Sequence, residues 1–412
     1  MSLLSSLIKR YKSTNLMLQI FVGIILGILV GIFLKDLVNY TSLLGVIFVG
    51  ALKAVAPILV FVLVLCAIST RVYGDGSKRI KNVIILYLIG TFLASVSAVV
   101  ASFLFPTTLS GINAQDSVSL AAPSSIAAVF SDLLFKMIDN PINALATGNY
   151  IGILTWSIAL GLALKNSSNS IKEVISEVND GTIQIVRFIV KLAPFGIFGL
   201  VSQSVKEAGI NAMQSYLHLL AVLVFTMLFV AFVLNALIVF LLTKKNPYPL
   251  IFICIRHSAL YAFFTRSSAA NIPVNMALCA KLNVNKDLFS IAIPLGANIN
   301  MAGAAVTIAI LALSTAHTLG INISFTQALI LSFIAALGAC GASGVAGGSL
   351  LLVPLACSLF GISDAISLKV VAIGFIIGVI QDSIETALNS STDVLFTAIC
   401  SDTKLNLDFK KD

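Results

Sequence analysis

Charge is the scarcest resource in this chain. Of its 412 residues only 10% are charged, against 58% hydrophobic, and mean hydropathy is +1.05. Soluble domains carry about 25% charged and about 45–50% apolar residues. So few charges cannot cover the two or three soluble domains that this length would otherwise make. That excludes an ordinary cytosolic enzyme, a disordered chain and a nucleic-acid binder. Histidine is scarce too: His218, His257 and His317 stand far apart, without metal-ligand spacing. Six cysteines (66, 254, 279, 340, 357 and 400) lie in or beside apolar segments with no CxxC pair, so neither a disulfide framework nor a zinc site is indicated. What remains is an all-α polytopic membrane protein in a lipid bilayer.

The net charge of +8 is placed as a membrane protein places it. Lys9, Arg10 and Lys12, then Arg71, Lys78, Arg79 and Lys81, then Lys244 and Lys245, then Lys404, Lys410 and Lys411 form short clusters between apolar runs. With both termini cytoplasmic, sixteen Lys/Arg fall on the inner side and only Lys35, Lys136, Lys206 and Lys369 on the outer side. This is the positive-inside pattern. The start reads as an uncleaved cytoplasmic segment, since no small-x-small cleavage site follows it.

A helix needs about 20 apolar residues to cross a bilayer. The first half supplies spans at roughly 17–34, 43–69, 83–105, 149–164, 183–204 and 215–243. Residues 106–126, rich in Ser, Thr, Pro, Ala and Gly, read as an outer loop, and 127–147 as an interfacial helix or a broken part of the fourth span. From 248 onward the pattern changes. Arg266-Ser267-Ser268-Ala269-Ala270-Asn271 interrupts one apolar segment, and the glycine-rich run 338–349 interrupts another. Each interrupted segment precedes a longer span, roughly 288–316 and 366–399. Two half-helices meeting at a re-entrant tip solve the problem of freed backbone groups at membrane depth. Two matched interruptions point to inverted repeats and a transport site. The glycine run is not a phosphate loop, because the Gly-Lys-Ser/Thr ending is missing.

The last span carries the chemistry. Asp382, Thr386, Asn389 and Asp393 share one helical face, with Glu385 beside it. Carboxylates at membrane depth are costly and usually face a cavity or an ion path. Hard oxygens suit alkali cations, and a carboxylate also pairs with an ammonium. In the preceding span, Gly296, Asn298, Asn300 and Gly303 leave two readings: close helix packing, which the motif alone favours, or a helix unwound to expose carbonyls. Ser267 and Ser268 offer hydroxyls beside a half-helix N-terminus, which attracts carboxylates. No histidine accompanies these motifs, which disfavours an intramembrane enzyme, and the clustering of polar groups at one depth disfavours a channel.

These motifs resemble the dicarboxylate/amino acid:cation symporter family over nearly the whole chain, most densely from 261 to 399. The resemblance rests on Phe264-Thr265-Arg266-Ser267-Ser268, on Pro294 through Met301, and on Asn389-Ser390-Ser391-Thr392-Asp393. The run Ala262–Met276 is closest to members that carry serine and threonine with sodium. The resemblance implies a glutamate-transporter-like fold of eight transmembrane helices and two re-entrant hairpins, assembled as a homotrimer in the bacterial cytoplasmic membrane. Residues 1–243 would form scaffold helices and part of the transport domain, 244–399 the transport core, and 400–412 a cytoplasmic tail. The second hairpin would be the outer gate, and the transport domain would cross the membrane as a unit.

By the same resemblance, Asp382 would hold a substrate ammonium with Thr386 beside it. Asn389 and Ser268 would hold the α-carboxylate, and Val345 and Gly347 would add backbone groups. Gly296, Asn300, Asn389 and Asp393 would form a sodium site. Two departures bear on the substrate. Glu385 stands where dicarboxylate carriers have an arginine for a second carboxylate, and Ala304 replaces a threonine that helps hold the same group. An acid there implies a small neutral amino acid, with a sodium- or proton-coupled dicarboxylate carrier as the alternative. Glu385 would accept a bond from a substrate hydroxyl, directly or through water. Ala302, in place of an aspartate, and the pair Gly90-Thr91 weaken a second sodium site, which implies fewer coupled ions.

Overall fold

The structure is a computed structural model that describes residues 16–70, 78–112, 134–208, 211–340, 342, 347–401 and 403–407. The expected outer loop falls largely outside the described residues, as does Val345.

The chain opens with α1 (Leu16–Phe33), α2 (Val38–Ser69) and α3 (Lys78–Leu104). Next come α4 (Pro141–Thr147), α5 (Tyr150–Ala163), α6 (Asn169–Lys191) and α7 (Ala193–Ala208). Helix α8 (Asn211–Phe229) continues through a π-helical turn, Val230–Leu234, into α9 (Asn235–Thr243). Gly23, Gly27 and Gly31 form a seam on α1, where a Cβ would come within 2.6, 2.8 and 2.7 Å of α7 atoms. Small residues at this spacing let helices approach closely in lipid.

The fourth passage is broken, as its sequence suggests. Asn140 caps α4 with Pro141 in its first turn, the left-handed Gly148 ends it, and Asn149 caps α5. Asp139 ties this corner together. Its oxygens accept from Asn143 Nδ2 at 2.9 and 3.1 Å and from Asn149 Nδ2 at 3.1 Å, while its carbonyl accepts from the Trp156 indole at 2.7 Å. The amide donors of Asn143 and Asn149 hold the Asp139 carboxyl below its ordinary range.

The fifth passage corrects the sequence reading. In place of one span at 183–204, the helix begins at Asn169, runs to Lys191 and bends by 50° before α7. Pro194 explains the break: it has no N–H to continue the ladder, and it is tolerated only in the first turn of the new helix.

The second half forms the core. The first re-entrant hairpin consists of α10 (Tyr248–Cys254), a π-helical turn (Ile255–Ala259) and α11 (Leu260–Thr265), then the reversal and α12 (Ser268–Lys281). The chain reverses at Arg266, in the left-handed region at φ 51°, and Ser267 caps α12 by accepting from the Ala270 N–H. Helix α13 (Lys286–Ile299) breaks at Asn300–Met301 before α14 (Ala302–Thr318). The second hairpin runs from α15 (Phe325–Ala339) through Gly347, at φ 74°, to a short 3-10 turn (Leu350–Leu352) and α16 (Val353–Ser358). Helix α17 (Asp364–Ile399) follows. Counting each broken passage once, eight helical passages and two re-entrant hairpins occur among the described residues.

Helix α14 is the centre of the molecule, buried from Ala302 to Ala316 with no face turned to lipid. Its alanines and Gly303 allow that enclosure. A helix apolar all round belongs in a core.

Candidate functional site

Five polar side chains of α17 lie buried at membrane depth: Asp382, Glu385, Thr386, Asn389 and Asp393 are each at most 6% exposed. In lipid such groups require partners, and the partners define the site.

Asp382 stands between the two hairpin tips. Arg266 of the first donates from Nε to Asp382 Oδ2 at 2.6 Å, and the Gly347 N–H of the second donates to Oδ1 at 3.2 Å. The sequence motif contains Arg266, yet nothing in its spacing reveals this ion pair. Gly347 is required by its backbone and by space: at φ 74° a Cβ would be strained and would sit 2.9 Å from the Phe375 ring. Thr386 donates to the Asp382 carbonyl at 2.8 Å. Ser268 opens α12 and is buried; Ser267 is spent on capping that helix.

Glu385 belongs to a tighter cluster. Its Oε2 accepts from Thr307 Oγ1 at 2.7 Å, Ser349 Oγ at 2.8 Å and Gln381 Nε2 at 2.6 Å. These donors come from α14, the second hairpin and α17 itself. Gly303 is what lets α14 pass so close, since a Cβ there would meet Glu385 atoms at 2.9 Å.

The break in α13–α14 is stitched to α17 by amides. Asn389 Oδ1 accepts from the Gly303 N–H at 2.7 Å, so it caps α14 from a neighbouring helix. Asn300 Nδ2 donates to the Asn389 carbonyl at 3.2 Å and to Asp393 Oδ1 at 2.9 Å. Asn300 Oδ1 and Asp393 Oδ2 are then buried with no hydrogen-bond partner. Orphaned acceptors at such depth are rare, and an alkali cation is the partner that oxygens of this kind would take. Gly296 leaves the room: a Cβ would stand 2.5 Å from Asp393 Oδ1. The expected sodium ligands Gly296, Asn300, Asn389 and Asp393 are thus brought together. Toward a second site, Thr91 Oγ1 is buried without a partner while Ala302 has no side-chain oxygen.

Two features were not legible in the sequence. Tyr87 of α3 places its hydroxyl 2.8 Å from Thr397 Oγ1 and 3.1 Å from the Asp393 carbonyl, so it braces the orphaned acid from a third direction. In the first hairpin, Asn271 Nδ2 donates to Ser390 Oγ at 2.6 Å, Asn275 Nδ2 donates to the Ser390 carbonyl at 3.0 Å, and Ser258 donates to Asn275 Oδ1 at 2.6 Å. Both hairpin arms are thereby fastened to α17. Ser258 lies in the π-helical turn, and the residue after the other π turn, Asn235, donates to Thr392 at 3.2 Å. π turns that aim a polar group in this way are frequent at functional sites.

Paired re-entrant hairpins, a helix broken at an amide and acids buried at one depth define a secondary transporter that binds its cargo near the midplane. The chain belongs to the sodium:dicarboxylate symporter family, which it matches over residues 16–403. It is 62% identical over 406 residues to a serine/threonine transporter SstT of Campylobacter jejuni subsp. jejuni serotype O:23/36 (strain 81-176), covering 98% of this chain and 100% of that protein. The serine/threonine transporter SstT of Campylobacter jejuni subsp. doylei is 62% identical over 408 residues, again 98% of this chain and 100% of the relative. That of Campylobacter jejuni subsp. jejuni serotype O:2 is 61% identical over 406 residues, with the same coverage. These relatives bear the name of a transporter, not of an enzyme.

Proposed function

We propose that this chain is a sodium-coupled symporter importing serine and threonine across the bacterial cytoplasmic membrane, with both termini cytoplasmic. The observation that carries this reading is the acidic pair on α17. Asp382, between the two hairpin tips, is the carboxylate for a substrate ammonium, and Glu385 makes the neighbouring subsite hostile to a second carboxylate. The names of the similar proteins support the same substrates.

Arg266 is a tethered cation at the carboxylate that the substrate ammonium needs. Substrate binding therefore exchanges one ion pair for another and releases the tip of the first hairpin. Ser268 and the Asn389 amide receive the α-carboxylate. Among the described residues Asn389 Nδ2 donates to the Met301 sulfur at 3.4 Å, a weak acceptor that a carboxylate oxygen would displace. Sodium is carried as a second cargo on Asn300 Oδ1, Asp393 Oδ2 and neighbouring carbonyls, including those of Gly296 and Asn389. Val345 and Gly347 supply backbone groups from the second hairpin. Sodium and substrate each stabilise the closed second hairpin, which is the whole of their coupling. Residues 244–399 form the transport core, which moves as an elevator against a scaffold built from helices of residues 1–243, within a homotrimer. Residues 400–412 form the tail.

The test is uptake of labelled serine, threonine, alanine and aspartate into proteoliposomes, with and without an inward sodium gradient. Serine and threonine uptake that requires sodium is expected, with a sodium Hill coefficient below that of a multi-sodium transporter. Sodium-independent uptake or a preference for aspartate overturns the reading.

A further inference from the structure

The Glu385 cluster is built asymmetrically. All three of its hydrogen bonds fall on Oε2, and Oε1 accepts none among the described residues. Nor is Oε1 one of the buried atoms left without a partner, and Glu385 keeps 6% exposure. The donors are themselves connected, since Gln381 Nε2 also donates to Thr307 Oγ1 at 2.7 Å. Thr307 and Gln381 lie on helices that pack together, α14 and α17, and both are wholly buried. Ser349 is different. It is the one donor carried by the second hairpin, two residues beyond Gly347, whose N–H reaches Asp382.

We propose that Thr307, Gln381 and Ser349 are positioning residues that lock Glu385 Oε2 and turn Oε1 to the hydroxyl of the substrate side chain. The inference rests on the serine and threonine reading above and names how that hydroxyl is recognised. A carboxylate held by a single oxygen cannot rotate, so its second oxygen is presented in one direction. A substrate hydroxyl donating to it makes a charge-assisted bond, and an analogue lacking the hydroxyl leaves that acceptor unpaired in a dry site. Because Ser349 arrives with the second hairpin, the lock is complete only when that hairpin is closed. Hydroxyl recognition and hairpin closure are therefore one event. Serine is favoured over alanine in the closed state and hardly at all in the open one.

The test compares wild type with Ser349→Ala, Ser349→Thr, Glu385→Gln and the double variant Ser349→Ala/Glu385→Gln, in sodium-driven uptake by proteoliposomes. The readouts are KM for serine, kcat, and the inhibition constant of alanine against labelled serine. Ser349→Ala is expected to raise the serine KM about tenfold while leaving the alanine constant and kcat within about twofold, the size of one lost charge-assisted bond. Ser349→Thr keeps the hydroxyl and restores the ratio. In the Glu385→Gln background, Ser349→Ala changes the ratio no further, because the two act through one contact. Equal weakening of serine and alanine by Ser349→Ala, additive effects in the double variant, or loss of uptake for both substrates each overturns the inference. Wild-type protein that takes up no serine with sodium overturns the functional reading itself, a separate outcome.

Discussion

At the scale of single residues, the site is organised around charges that have few alternatives. Asp382 and Arg266 are 3% and 13% exposed at their side chains, so each is the other's principal counter-charge. Removing one partner of such a pair strands the other, at a cost of about 3–5 kcal/mol for fully buried pairs and less for one with Arg266 part-exposed. Asp382→Asn is expected to abolish serine uptake and also to lower the melting temperature of the substrate-free protein, read by thermal unfolding in detergent. Arg266→Lys keeps the charge but loses the planar fork, and should retain uptake at reduced rate. Gly296 gives a sharper test of the ion site. A methyl group there would press on Asp393 Oδ1, with an overpacking strain of about 1–3 kcal/mol. The half-saturating sodium concentration of Gly296→Ala should rise about tenfold or more on the same reasoning, with serine KM at saturating sodium little changed. A sodium dependence identical to wild type would remove Gly296 from the ion site.

Much of this residue-scale picture was legible in the sequence, for a physical reason. Acids are so expensive in an apolar span that Asp382, Glu385 and Asp393 declare themselves. Arg266 was visible in its motif but its partner was not, because 116 positions separate it from Asp382. Tyr87 was hidden more deeply. One tyrosine in an apolar helix is ordinary until the fold sets its hydroxyl against Thr397 and the Asp393 carbonyl.

At the scale of elements, the interruptions were readable and the ties were not. A polar run inside an apolar segment announces a reversal, and the structure reverses at Arg266, while Gly347 past the second run is likewise held in the left-handed region. What fastens the first hairpin to α17 is a contact among Ser258, Asn271, Asn275 and Ser390, which share no sequence pattern. Asn275→Ala would take the amide donor from the Ser390 carbonyl and the acceptor from the Ser258 hydroxyl, while Asn271 still donates to both hydroxyls. A destabilisation of about 1–3 kcal/mol is expected, with faster proteolysis or hydrogen exchange in α10–α12 and little change in α1–α2. Uniform exchange throughout would place the tie elsewhere. The fifth passage misled the sequence reading because its lower half is amphipathic. Hydropathy found only 183–204, while the isoleucine and valine stripe of α6 extends the helix back to Asn169.

At the scale of the whole molecule, one tie between the outer corner around Asp139 and the core is a long side chain. Lys136 Nζ donates to the Ser358 carbonyl at 3.2 Å, at the C-terminal end of α16, where a cation is favoured. If the core moves as a body against the early helices, this contact exists in only one position of the core. Joining Lys136→Cys to Ser358→Cys with a short bismaleimide is expected to stop uptake, while either single variant treated alike continues to transport. Unimpaired uptake by the joined protein would mean that the two regions do not part.

The ion pair at the first hairpin also has an electrical consequence. Among the buried or half-buried side chains of the core site, one positive charge, Arg266, stands against three acids, Asp382, Glu385 and Asp393. A core that crosses the bilayer empty therefore carries net negative charge, and one that crosses with a cation carries less. Each elementary charge moved through the full field is worth about 2.3 kcal/mol per 100 mV. By that count the empty core carries a net charge of −2 and the core with one sodium and zwitterionic serine −1, so an interior-negative voltage acts more strongly on the empty core, driving its outward return. Net uptake should quicken with voltage imposed by a potassium diffusion potential, while exchange of internal for external serine, which never needs the empty core to return, should respond less.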